Sequence, residues 1–67
     1  MNKSQLIKTM TNFTGGSCAI SRKQLAACLG YKSPASVDRY LYPLARIGGR
    51  YLIEDVAAEV CQQRKWN

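Results

Sequence analysis

The sequence predicts one small α+β domain, rich in helix with a short hairpin, and three observations predict it. Apolar residues recur at helical spacing in four stretches, at intervals of one, three or four positions that gather on one face. Serine caps and glycine stops separate those stretches. One segment, Leu44 to Ile53, instead reads as two β-favouring runs joined by Gly48-Gly49. With 67 residues the chain has room for a single domain spanning 1–67, near the lower limit at which a core closes without a staple. Its 46% hydrophobic and 21% charged residues are the balance of a folded protein rather than a disordered tail.

The first element runs from Lys3 to Phe13, where Leu6, Ile7, Met10 and Phe13 gather on one helical face. Thr14-Gly15-Gly16-Ser17 stops it, and Ser17-Cys18-Ala19-Ile20, too short for a helix, suits a brief edge strand. Ser21-Arg22-Lys23-Gln24 is a capping box, so a second helix starts near Arg22, buries Leu25, Ala26 and Leu29, and ends at Gly30. Ser33 and Pro34 open a third helix, Pro34 to Tyr42, in which Val37, Leu41 and Leu44 recur with Tyr40 beside them at the core boundary. Pro43 halts or kinks it after about two and a half turns. The two-glycine turn then joins Leu44-Ala45-Arg46-Ile47 to Arg50-Tyr51-Leu52-Ile53 as a hairpin. A last helix, Glu54 to Trp66, carries Val56, Ala57, Val60 and Cys61 as its apolar stripe, with acids first and bases last, as the helix dipole favours.

Composition narrows the chemistry. The chain has no histidine, and its three cysteines, Cys18, Cys28 and Cys61, are odd in number and widely spaced. That is neither a disulfide framework nor a zinc set, so free thiols in a reducing compartment are expected, with Cys28 and Cys61 as core or near-core residues. Without a histidine base, and with four scattered acids, no catalytic residue, metal or cofactor is expected, and the chain does not read as an enzyme. No apolar run approaches the roughly 18 residues of a membrane span, and the polar start is not a signal peptide; a complete, cytoplasmic chain with no membrane and no small-molecule substrate is expected.

The charge points to a partner. Ten Lys and Arg against four Asp and Glu give +6, of which residues 22–50 hold +5, residues 1–21 hold +2 and residues 51–67 hold −1. The surplus lies on two helices joined by a short turn, the pattern of a helix-turn-helix, with a glycine-tipped hairpin after it, the pattern of a wing. The fold expected is therefore a winged helix-turn-helix binding double-stranded DNA. The Pro34 to Tyr42 helix would enter the major groove, its first turn offering serine hydroxyls and backbone amides, with Arg39 able to contact guanine bidentately. The hairpin tip would lie at the minor groove. The candidate contacts are Arg22, Lys23, Lys32, Ser33, Ser36, Arg39, Arg46 and Arg50. Six phosphates neutralised would give a log affinity against log salt slope of about −5.

Three runs carry a family resemblance: Ile20 to Gly30, Ser36-Val37-Asp38-Arg39-Tyr40-Leu41, and Gly48-Gly49-Arg50-Tyr51-Leu52-Ile53-Glu54-Asp55-Val56. In order and spacing they resemble the phage excisionase group of winged-helix proteins, related to the DNA-binding domains of the MerR regulators. The resemblance covers about residues 20 to 60. It implies an architectural factor of a phage or mobile element that bends DNA beside recombination sites, steers an integrase or recombinase toward excision, and often doubles as a repressor. It also implies Ser36 and Arg39 as recognition-helix contacts and Arg50 as a wing contact. The helix at Leu6 to Phe13 is additional to that family's minimal pattern, and Pro43 shortens the recognition helix.

Two other readings stay open. A small MerR-like transcriptional regulator, with RNA polymerase as its protein partner, would use the same contacts. A protein-interaction or dimerisation module would use the first and last helices, leaving the basic face incidental. Self-association on DNA is compatible with either DNA-binding role.

Overall fold

Two reciprocal capping boxes set the helical frame of the computed structural model, which describes residues 2–65. In the first, the Asn2 side chain accepts the Gln5 amide at 2.8 Å while Gln5 Oε1 accepts the Asn2 amide at 3.1 Å. It opens α1, Lys3–Phe13, which buries Leu6 and Met10. Phe13, expected on the same face, is half-exposed, because it occupies the last turn, where the chain leaves through Thr14. In the second box Ser21 and Gln24 exchange bonds of 3.2 and 3.0 Å, as their spacing predicts, and open α2, Arg22–Leu29. The α2 carbonyls of Ala26 and Ala27 accept from Tyr31 and Gly30. That return requires a left-handed residue, supplied by Gly30 at φ +84°.

The third element departs from expectation. Residues 34 to 42 do not form a continuous α-helix: Pro34–Val37 is a 3-10 turn, and only Asp38–Leu41, here α3, is α-helical. Ser33 imposes the tighter start, its hydroxyl taking the Ala35 amide at 3.3 Å and its carbonyl the Ser36 amide at 3.1 Å. Pro43 prevents extension at the other end, as its sequence position predicts.

The sheet has two strands, β1 at Ala19–Ser21 and β2 at Arg50–Leu52, antiparallel with Ala19 opposite Leu52, Ile20 opposite Tyr51 and Ser21 opposite Arg50. The expected hairpin is thus corrected: Leu44 to Ile47 is not a strand, and β2 takes β1 as its partner. What remains is the turn, a single bridge in which Ile47 and Arg50 exchange bonds of 2.7 and 3.0 Å around Gly48 and Gly49, both at positive φ. Leu44 is half-buried against the core but Ile47 is exposed, so the run has no second apolar anchor to hold it along β2.

Helix α4, Ile53–Arg64, begins one residue earlier than expected and is capped by Lys65; its predicted end at Trp66 lies outside the described residues. It buries Ile53, Val56, Ala57, Val60 and Cys61 and packs against α1 and α3. Around it gather Leu6, Met10, Ile20, Leu25, Val37, Tyr40 and Leu41. Among the described residues, four helices and a two-stranded antiparallel sheet make an α+β architecture compatible with a small winged-helix-like domain. No helix among them is long and apolar enough to cross a membrane.

Candidate nucleic-acid interface

All eight sequence-predicted contact residues are exposed. Their positions follow from the elements just described. Arg22 and Lys23 open α2, Lys32 and Ser33 lie in the turn, and Ser36 and Arg39 lie on the 3-10 turn and α3. Arg46 and Arg50 flank the glycine turn. The β1–β2 register sets Arg50 opposite Ser21, the cap of α2, so the base of the wing is tied to the start of the helix-turn-helix.

Three of the eight are engaged within the protein. Arg22 forms a two-pronged ion pair with Asp38, Nε to Oδ1 at 2.6 Å and Nη2 to Oδ2 at 3.0 Å. The bond pins the first turn of α2 to the first turn of α3. The hydrogen bonds that Arg22 donates hold the Asp38 carboxyl below its ordinary value and raise Arg22 above its own. The side chains remain 51% and 52% exposed, so water screens the pair. Ser33 spends its hydroxyl on the Ala35 amide, and the Ser36 amide is bonded to the Ser33 carbonyl. The expectation that this turn offers free amides to an anion is therefore corrected at Ala35 and Ser36. Arg39 is held by Gln63 of α4, whose Oε1 accepts from Arg39 Nε at 3.1 Å.

Sequence reasoning missed the contribution of α4 to this surface. The last turn of α4 supplies Gln63 to Arg39, and Arg64 to two tyrosines: Arg64 Nε donates to the Tyr40 hydroxyl at 2.8 Å and Nη2 donates to the Tyr31 hydroxyl. The two hydroxyls lie 3.4 Å apart. Arg39 and Arg64 lie 5.4 and 5.9 Å from the centre of the Tyr40 ring, within cation–π range. Burial alone would raise the Tyr40 phenol, but the bonds from Tyr31 and Arg64 and the two arginine charges outweigh it and lower it. Tyr40 is thus a core side chain with a polar tip that joins the helix-turn-helix to α4. Only Pro43 hinted at this in the sequence, since it deprives the Arg39 carbonyl of its normal helical donor.

Away from the basic surface, a cleft of about 270 Å³ lies between α1 and the start of α4, lined by Ile7, Thr11, Cys18, Leu52, Ile53, Glu54 and Asp55. The cysteines are free: Cys18 is exposed at this cleft, Cys28 is half-buried with its thiol raised by burial, and Cys61 is in the core. The chain matches no protein-family model, no curated protein and no solved structure.

Proposed function

We propose that the chain binds double-stranded DNA, with the Ser33 to Leu41 segment at the major groove and the Arg46 to Arg50 turn at the minor groove or backbone. The observation that carries this reading is the run of exposed Lys23, Lys32, Arg39, Arg46 and Arg50 on consecutive elements from α2 to the glycine turn, whose base is paired with the cap of α2 through Arg50 and Ser21. Phosphate attraction would supply affinity, and Arg39 would supply base preference. By its resemblance to the phage excisionases, the role proposed is an architectural factor of a phage or mobile element. It would act in the cytoplasm and direct an integrase or recombinase.

Binding to a random duplex at two salt concentrations tests the reading. Because Asp38 already neutralises Arg22, five cations remain, and the expected slope is about −4.5. A salt-independent interaction, or none, would overturn it. Footprinting on the DNA beside the encoding gene separates roles: protected repeats at a strand-exchange site support the excisionase reading, and a protected promoter alone supports the MerR-like regulator. The cleft between α1 and α4, together with half-exposed Leu52 and Phe13, favours an additional protein contact for either role.

A further inference from the structure

Residue Arg39 sits on a helix that has lost a bond. In a regular helix its carbonyl would accept the amide four residues on, but that residue is Pro43, which has none. Gln63 of α4 fills the gap: its Nε2 donates to the Arg39 carbonyl at 2.8 Å and to Glu59 Oε1 at 3.0 Å. With the amide nitrogen committed to two oxygens, Oε1 faces the other way and accepts from Arg39 Nε at 3.1 Å. One side chain therefore both ends the recognition helix and grips its arginine. The grip is on Nε alone. Among the described residues no bond engages the two terminal Nη groups of Arg39, and these form the fork that pairs end-on with O6 and N7 of guanine.

We infer that Gln63 is a positioning residue for base recognition, holding Arg39 by its Nε so that the Nη fork is presented in one orientation. The inference rests on the DNA-binding reading above and names a residue outside the helix-turn-helix and wing. Its physical content is preorganisation: a long side chain already confined before binding loses less freedom when it meets a base. Glu59 acts one step further out, by fixing the direction of the Gln63 amide. Arg39 is exposed, as is the bond from Gln63 to its carbonyl, so losing Gln63 leaves that carbonyl to water, and the arginine loses its orientation before the fold loses its core.

The test uses the full chain and Gln63→Met, which keeps the side-chain length and a comparable helix propensity. In the nitrogen-15 spectrum of the free protein, a slowly exchanging Arg39 Nε–H signal is expected in the parent and a fast-exchanging one in the variant. The second readout is the ratio of affinities for a duplex selected by the parent from a randomised pool and for a random duplex. Gln63→Met is expected to lower that ratio roughly three- to tenfold, the cost of ordering one long side chain. Random-duplex affinity and its salt slope should stay unchanged, and the substitution should add nothing in an Arg39→Ala background. An unchanged signal and ratio, an equal loss on both duplexes, or the same loss without Arg39 would overturn the inference while leaving DNA binding intact. A parent chain that binds no duplex overturns both.

Discussion

Helix α4 buries five of its twelve side chains, whereas residues 33–50 bury three of eighteen, Val37, Tyr40 and Leu41. The two regions are held by different forces. α4 is a long apolar stripe on the core, stabilised by area removed from water. The 33–50 segment is a 3-10 turn, one turn of α-helix and a glycine turn, fixed in place by side chains from elsewhere: Arg22 on Asp38, Gln63 on Arg39, Arg64 on Tyr40. The difference teaches that the segment proposed to meet DNA has less hydrophobic support than α4. Its shape depends on polar clamps anchored in the better-packed half. Segments of that kind open locally at a lower cost than the global unfolding free energy.

The largest effect expected is in the packed half. Leu6→Ala empties a fully buried site and should cost about 2–5 kcal/mol, enough to leave much of so small a domain unfolded. Leu44→Ala, at a half-buried site in the recognition segment, should cost well under half as much in the same urea titration. Equal losses would break the contrast. The caps sharpen it at the next level. Ser21→Ala removes one side of a reciprocal box on an eight-residue helix and should cost about 1 kcal/mol, whereas Ser33→Ala, losing a single 3.3 Å bond, should cost a few tenths.

Gly48→Val comes next. A β-branched residue at φ +58° is strained, and because the turn stands outside the core, that strain should open the turn locally. The global melting temperature should then move little while random-duplex affinity falls; a large drop in melting would mean the turn is part of the cooperative core. The smallest stability effect is expected from Asp38→Asn, since its ion pair is exposed. The sign follows from the lowered Asp38 carboxyl: the pair's contribution is present above the ordinary carboxylate range and fades as pH falls through the lowered value. The variant should lack that acid-side dependence. It should also release Arg22 to phosphate, steepening the salt slope by about 0.9.

Much of this was legible in the residues because it is decided within four or five positions. The Ser21 box, the Gly30 stop, the Pro43 halt and the apolar stripe of α4 each involve near neighbours, and each forms as the spacing predicts. The glycine turn forms too, because two positive-φ residues in sequence favour little else. The failures have the same logic in reverse. The run from Leu44 to Ile47 has strand propensity, but it meets the free edge of β2 only at the Ile47–Arg50 bridge, and with Ile47 exposed it has no second apolar anchor to extend the pairing. At the candidate site, exposure of all eight residues was foreseeable from their polarity. Which of them are already engaged was not.

By itself, the sequence determined an α+β architecture, the bounds of its first two helices, most of its apolar faces and the segment that carries its charge. Only the tertiary structure decided that β1 pairs with β2, that Arg22 faces Asp38 sixteen residues on, and that Gln63 and Arg64 reach back twenty-four residues to Arg39 and Tyr40. The reason lies in range. Caps, turns and periodicity follow from the hydrogen-bonding needs of adjacent backbone groups. A polar clamp between distant residues exists only after hydrophobic packing has brought their elements together.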